Sequence, residues 1–178
     1  MRLYLTTKKI LSFEKEGIDQ FLNGLVANDM EAPQNAFLNI HGRIVATFAQ
    51  LRKGSRMFYL LFEEPCVVPV LAHLDRYLKL GGVTVQPVDK RVYHDLTGAY
   101  QPGPDDDVIP WPAGQLVLTA KDLEGTVRDE EYTQFRLDHR LPLQGVDYDG
   151  EMVLNVSLSD YVSFTKGCFL GQEPVSKV

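Results

Sequence analysis

The sequence has few cysteines and no long apolar segment. Its 178 residues include two cysteines, Cys66 and Cys168, too few for the disulfide framework of a small secreted protein. No apolar run approaches the ~20 residues that cross a bilayer. The first residues also lack the basic-then-apolar order of a secretory signal. These absences predict a cytoplasmic protein with no membrane association.

A surplus of positive charge is absent as well. The chain carries 18 Lys and Arg against 24 Asp and Glu, a formal net charge of −6. Neutralisation of phosphates supplies most non-specific affinity for nucleic acids, so we expect no direct nucleic-acid binding. A hydrophobic content of 44% and a charged content of 24% are typical of a soluble globular protein.

Apolar periodicity predicts an α+β fold with mostly antiparallel sheets and packed helices. Stripes of apolar residues predict helices over residues 17–28 and 67–80. Residues 2–12 and 57–62 predict strands. Tight turns join the strands, and there is no repeated strand–helix–strand spacing, which argues against a doubly wound α/β fold. Cys66, between a strand and an apolar helix, is expected in the core.

The later segments carry weaker patterns. Residues 129–141 predict a short helix ended by Pro142, and residues 152–154 predict a strand. The run Asp105–Asp107 lies in a proline-rich loop. It predicts an exposed acidic turn, with a site for a hard cation as the alternative.

The segment Lys166–Glu173, K-G-C-F-L-G-Q-E, is the most informative part of the sequence. It places Cys168 two residues after Lys166, with Gly167 and Gly171 on either side. Glycines allow close backbone approach, and a neighbouring cation favours thiolate over thiol. Cys168 is therefore a candidate nucleophile, redox thiol or transient iron–sulfur ligand, and the alternative is a small buried hydrophobe. One cysteine cannot alone hold a cluster that needs four protein thiolates.

The same eight residues resemble the signature K-G-C-(Y/F)-x-G-Q-E of the YgfZ family. These are folate-binding proteins linked to iron–sulfur cluster maintenance and tRNA modification, and they share the fold of the glycine cleavage T-protein, an aminomethyltransferase. The resemblance implies a folate-binding domain over residues 1–178 with a ferredoxin-like lobe at about 53–124. The C-terminal β-barrel of the relatives is expected to be absent, because the chain stops at Val178.

The resemblance also implies ligands, partners and site residues. Tetrahydrofolate is the implied ligand, and iron–sulfur cluster proteins or a scaffold are the implied partners. Cys168 and Lys166 are the implied catalytic residues. The implied folate contacts in the signature are Gly171, Gln172 and Glu173.

Residues 135–145 look like the segment R-x-E-A-G-x-P-x-x-G of T-protein-like folate binders. Asp138 stands at the acidic position, which in those relatives meets the pteridine. A carboxylate suits this role because it accepts two parallel hydrogen bonds from a 2-amino-4-oxopteridine. Arg136 matches the arginine of the pattern, whereas Arg140 replaces its glycine. Without the resemblance, Arg136 and Asp138 would be a surface ion pair.

Residues 21–29 and 38–47 are similar to the family's F-L-x-G-x-x-T-N-D helix and the hairpin that follows it. Asn28 is the candidate folate contact here, with a residue of the turn after the helix as the alternative. Aminomethyltransferases place aspartates just after the hairpin, where this chain has Ala46 and Thr47, which cannot activate an amine as a carboxylate does. The sequence therefore predicts a tetrahydrofolate-binding accessory protein of iron–sulfur cluster assembly or repair. An aminomethyltransferase and a non-catalytic interaction module are the alternatives, so enzymatic activity stays open.

Overall fold

The computed structural model describes residues 1–177 and contains two antiparallel sheets. One has five strands in the order β3-β4-β5-β2-β6, and the other has four in the order β1-β7-β9-β8. The strands are β1 (Leu3–Leu5), β2 (Lys8–Glu14), β3 (Gln34–Leu38), β4 (Ile44–Arg52), β5 (Met57–Glu63), β6 (Thr84–Val88), β7 (Arg91–Asp95), β8 (Asp107–Pro110) and β9 (Gln115–Thr119). The helices are α1 (Ile18–Asn23), α2 (Val67–Gly81), α3 (Asp129–Asp138) and α4 (Gln172–Ser176). The predicted α+β class is confirmed.

Strand β5 lies between two cores because both of its faces are apolar. Phe58, Leu60 and Phe62 belong to the core beneath α1 and α2. Leu61 and the partly buried Tyr59 point the other way, into the core between the two sheets. This alternation follows from the two-residue period of a strand, and it makes the apolar run at residues 57–62 the layer between helices and second sheet.

Helix α2 matches its predicted range closely. Pro69 lies in the first turn, where a missing N–H leaves no hydrogen bond unmade, and Val70 and Leu74 are fully buried. Gly82 caps the helix in the left-handed conformation, with φ of 64°. Glycine adopts that conformation without a Cβ penalty, so the Gly81–Gly82 pair sets the end of the helix.

Two predicted elements near the N-terminus are shorter than expected. The single strand over residues 2–12 is wrong, because β1 and β2 break at Thr6 and Thr7 and enter different sheets. The helix over residues 17–28 ends at Asn23. Val26 then pairs with Phe37 in an isolated β-bridge, so sheet pairing and burial override the apolar stripe beyond Gly24.

Two other expectations are also corrected. Residues 153–156 form a 3₁₀ helix instead of a strand. The exposed acidic turn is wrong for Asp106 and Asp107. Asp106 accepts hydrogen bonds from Tyr100, Gly103, Thr119 and Lys121, and Asp107 pairs with Lys53 and Lys90. Among residues 1–177, no cluster of three or more His, Cys, Asp or Glu side chains could hold a metal ion.

Strands from the predicted lobe at 53–124 contribute to both sheets, and its boundaries stay a prediction. In the described part of the chain, no helix combines the length and apolarity that a bilayer crossing requires.

Candidate functional site

The signature turn, residues 166–173, is fixed to the end of α1 through the side chain of Lys166. Its ammonium nitrogen donates to the backbone carbonyls of Asn23 and Val26, both at 2.8 Å, and of Asn28 at 3.1 Å. The last carbonyls of a helix have no partner within the helix, and a cation near them is favourable. Burial lowers the pKa of Lys166 to about 8, although the three carbonyl acceptors favour its protonated form. In this arrangement the charge of Lys166 is directed to the backbone of α1 and the loop after it.

Gly171 holds the other end of the signature turn in close contact with the β3–β4 hairpin. Its φ is 84°, and an added Cβ would lie 2.4 Å from the carbonyl oxygen of Asn39 and 2.9 Å from Cβ of Leu38. No real Cβ atom tolerates such distances, so this position requires glycine on two grounds. The turn is docked further by the N–H of Leu170, which donates to the carbonyl of Gly24 at 3.0 Å.

The two cysteines lie in opposite environments. Cys168 is exposed at the signature turn, whereas Cys66 is buried next to α2. The prediction that Cys66 lies in the core is confirmed. Burial raises the pKa of the Cys66 thiol to about 11, which keeps it protonated at neutral pH. Of the two, Cys168 is therefore the thiol that solvent and partner molecules can reach.

Gln172 and Glu173, predicted as folate contacts, begin the short helix α4. Its N-cap is Gly171, in the left-handed conformation. The carboxylate of Glu173 is exposed and pairs with Lys177 at 2.6 Å. Val175 is buried in the core formed by the C-terminal segment. As placed here, Gln172 and Glu173 belong to the helix that anchors the signature turn.

Asn28 lies in the loop after α1 and connects the signature turn to the residues around Asp160. Its carbonyl accepts from Lys166, and its Nδ2 donates to the carbonyls of Gln34 and Asp160, both at 2.9 Å. Its own N–H donates to Oδ1 of Asn35 at 2.8 Å. Asn28 is buried, and its N–H, carbonyl and side-chain Nδ2 all form hydrogen bonds.

Arg136 and Asp138, which are neighbours in the predicted folate segment, diverge in the structure. Arg136 is buried and donates to Asp147 at 2.7 Å and to the carbonyl of Leu141 at 3.0 Å. Asp138 is exposed and accepts from Gln134 at 2.7 Å. A surface ion pair between Arg136 and Asp138 is therefore wrong. Burial alone would raise the pKa of Asp147, but the hydrogen bonds from Arg136 and the Leu143 N–H, together with the charge of Arg136, hold that pKa below its usual value.

A polar chamber, here called the inner chamber, lies beneath the loop that follows α3. It has a volume of about 30 Å³, the size of a cavity that holds water. Its wall combines ionic, amide and hydroxyl groups with aromatic rings, and it includes Lys8, Thr47, Glu63, Trp111, Tyr132, Arg136, Gln144, Tyr148 and Tyr161. Glu63 pairs with Lys8, and both side chains are nearly buried. This chamber is where polar side chains from distant parts of the chain converge.

Thr47 faces the inner chamber. By the resemblance described above, aminomethyltransferases carry an aspartate at this position. Its hydroxyl contacts the hydroxyl of Tyr148, and its N–H donates to Oε1 of Gln144 at 2.9 Å. Ala46 is fully buried in the core beneath the helices. Neither residue brings a carboxylate to the chamber.

Tyr132 connects the inner chamber to a buried histidine. Its hydroxyl lies 3.1 Å from Nδ1 of His94, while Nε2 of His94 lies 2.5 Å from the carbonyl of Ala113. A carbonyl only accepts, so Nε2 carries the proton and Nδ1 accepts from Tyr132. Burial lowers the pKa of His94 and favours this neutral form.

Two larger cavities, here called the outer cavities, adjoin the inner chamber. Their volumes are about 230 and 480 Å³, near the lower end of the range for small-molecule sites. Leu141 and Pro142 line both outer cavities and the inner chamber. Arg140, Ser157 and Asp160 line both outer cavities. Cys168 and Asp138 are not among the lining residues of these three cavities.

The sequence did not point to Glu63, Lys8, Gln144 or Tyr148 as site residues. They come from three separate segments, and they converge because β2 pairs with β5 and the loop after α3 packs beside that pair. One signal was present for Glu63: a charged residue directly after the apolar run of β5, which is buried on both faces. Such a residue requires a partner when it is itself buried, and Lys8 supplies it.

The fold is that of the aminomethyltransferase T-proteins. The chain is similar to the glycine cleavage system aminomethyltransferase T from Bartonella henselae, with a TM-score of 0.67 and 13% identity. The alignment covers 98% of this chain and 62% of that one. No family model matches the sequence.

Among curated proteins, the chain is similar to the iron-sulfur cluster assembly factor IBA57 homolog, mitochondrial, of Neurospora crassa. The two are 21% identical over 211 residues, which cover 95% of this chain and 48% of the relative. The chain thus spans about half the length of the curated relative it matches. Together with the T-protein fold, this similarity confirms the resemblance to the YgfZ family that the signature predicts.

Proposed function

We propose that the chain is a tetrahydrofolate-binding accessory protein that assists iron–sulfur cluster assembly or repair. The observation that carries this proposal is the placement of Cys168, which is exposed on a turn held by Lys166 and Gly171. A thiol in core packing would be buried. A relative that carries the name iron-sulfur cluster assembly factor supports the same role.

In this role, Cys168 is a transient thiolate ligand to a cluster in transit. A cluster needs more thiolates than one, so the remaining ligands come from a partner protein or scaffold. Partner iron–sulfur enzymes include those that modify tRNA, which would make the effect on tRNA modification indirect. The acidic net charge of −6 disfavours direct nucleic-acid binding.

The folate part of the proposal assigns the ligand to the outer cavities. Their shared wall of Leu141 and Pro142 offers apolar contact for a flat ring. Polar groups for its amide edge lie next to this wall, in the inner chamber. Asp138 stays a predicted pteridine anchor. Its carboxylate is accessible, but reaching the ligand would require it to leave Gln134.

The cluster role is tested in cells depleted of this protein. We expect iron–sulfur enzyme activity, and the tRNA modifications that depend on it, to fall and to be restored by the wild type. The Cys66→Ser variant should restore them too, because Cys66 is buried. The Cys168→Ser variant should fail. Full restoration by Cys168→Ser would reject the assignment of Cys168.

The folate role is tested by titration of the purified protein with tetrahydrofolate. The Val156→Trp variant should lose binding, because Val156 lines the larger outer cavity and indole would fill it. Val68→Trp, on the exposed face of α2, is the matched control and should bind like the wild type. Equal affinity in Asp138→Ala would remove Asp138 from the site. Absence of binding to the wild type would reject the folate role.

An aminomethyltransferase remains the second candidate because of the shared fold. Thr47 and Ala46 argue against it, since neither provides the carboxylate. A direct assay of folate-dependent aminomethyl transfer decides between the two. The third candidate, an interaction module without ligand, predicts wild-type function in Cys168→Ser and no folate binding.

A further inference from the structure

Two strained residues lie on the same pair of cavities. Among residues 1–177, Arg140 and Ser157 are the non-glycine residues with positive φ, at 53° and 56°. Each of these residues lines both outer cavities. A left-handed conformation costs a non-glycine residue about 1–2 kcal/mol, and residues held in such conformations cluster at ligand sites. Both side chains are therefore candidates for contact with a bound ligand.

The backbone at Arg140 is suited to glycine. The N–H of Leu141 donates to the carbonyl of Arg136, and the N–H of Arg140 donates to that of Leu137. These two bonds form a Schellman motif at the end of α3, with Arg140 at the position that glycine usually occupies. The folate-binder pattern that this segment resembles has glycine there. Local structure therefore gives no reason for an arginine.

The guanidinium of Arg140 has no ionic partner among the described residues. In residues 1–177, no carboxylate oxygen lies within 4.0 Å of its nitrogens. The nearby Arg136, by contrast, is bound to Asp147. Asp160 lines the same two cavities and is likewise outside any ion pair of the described chain. Arg140 is thus available to an anion, with Asp160 as the opposing charge.

We infer that Arg140 binds the carboxylates of the ligand's glutamate tail and selects the polyglutamylated form of the folate. The inference rests on the proposed function. An arginine fork binds a carboxylate through two parallel hydrogen bonds. With the ring against Leu141 and Pro142, the tail would extend toward the cavity wall that Arg140 and Ser157 form. The cost of the left-handed backbone is offset when an anion occupies the fork.

The test measures the affinity of three probes: tetrahydropterin without a tail, tetrahydrofolate with one glutamate, and tetrahydrofolate with five. In Arg140→Gly we expect the affinity for the pentaglutamate to fall about tenfold, as for loss of a hydrogen bond to a charged group. The affinity for tetrahydropterin should change less than twofold. Because glycine relieves the backbone strain, the same variant should unfold at a higher urea concentration than the wild type.

Two further variants separate charge from backbone. Arg140→Asn tolerates the left-handed conformation but lacks the charge, so it should lose pentaglutamate affinity like Arg140→Gly. Asp160→Asn removes the opposing charge and should raise pentaglutamate affinity severalfold. Equal affinity of wild type and Arg140→Gly for the pentaglutamate would overturn the inference and leave the folate role intact. Absence of binding of all three probes to the wild type would overturn both.

Discussion

Lys166 and Asn28 are joined by a 3.1 Å hydrogen bond from the lysine ammonium to the asparagine carbonyl. The side chain of Asn28 in turn donates to the carbonyl of Asp160, which lines the outer cavities. One buried asparagine therefore connects the turn that carries Cys168 with the cavities proposed for the ligand. Changes at Lys166 should reach both.

Replacing Lys166 by methionine should destabilise the protein. Three backbone carbonyls would lose a charged donor, and we expect the free energy of unfolding to fall by about 2–3 kcal/mol. Urea denaturation measures the change. Lys177→Met is the matched control, since Lys177 makes an exposed pair with Glu173 and such pairs contribute less than ~1 kcal/mol. An equal effect of both variants would contradict the anchoring role of Lys166.

The two glycines of the signature turn should respond differently to alanine. Gly171→Ala places a Cβ against the carbonyl of Asn39 at a left-handed position, and we expect a loss of ~2–3 kcal/mol or more. Gly167→Ala meets nothing within 4 Å and its φ is not left-handed, so its stability should be close to that of the wild type. Thermal unfolding of both variants provides the measurement. A tolerated Gly171→Ala would mean that the turn does not dock on the hairpin as described.

Alkylation should distinguish the two thiols in the native protein. Cys168 is exposed, whereas Cys66 is buried with a pKa raised to about 11. With iodoacetamide at neutral pH, mass spectrometry of peptides should find Cys168 modified first and Cys66 modified only after unfolding. Cys168→Ser should then show almost no native labelling. Slow labelling of Cys168, at the rate of Cys66, would instead support an interaction module.

Stability should decrease as the pH falls below about 6.5 because His94 is buried in its neutral form. Its pKa in the folded protein lies below the ordinary 6.5, so the unfolded chain takes up the proton first. The stabilisation is complete above pH 6.5 and declines toward the lowered pKa. Urea titrations at pH 7.5 and 5.5 measure this decline. His94→Gln should reduce it, whereas the exposed His41→Gln should not.

Local patterns predicted the parts of the fold that local forces determine. Helix α2 has a complete apolar stripe and a glycine cap, and the structure confirms its bounds within one residue. The stripe over residues 17–28 is equally regular, but residues beyond Gly24 find better burial by pairing with β3. The split between β1 and β2 depends on which sheet each strand joins, and periodicity carries no such information.

In the candidate site, too, the features formed by consecutive residues could be predicted, whereas those formed by distant residues could not. The signature turn was found from adjacent residues, because its glycines, lysine and cysteine are consecutive. The partner of Arg136 could not be found in this way. Asp138 and Asp147 are both near Arg136 in sequence, and only the turn after α3 brings Asp147 into contact with it. The inner chamber was missed because Lys8 and Glu63 meet only through the pairing of β2 with β5, and the loop after α3 then brings Gln144 to them.

The bond from Lys166 to Val26 joins positions 140 residues apart in sequence. A fluorescent dye attached to the sulfur of Cys168 would therefore sense movement of the loop after α1, although the dye itself sits outside the cavities. Through Asn28 and Asp160, its emission should change when a ligand enters, which makes the accessible cysteine a reporter position that leaves the pocket itself unlabelled.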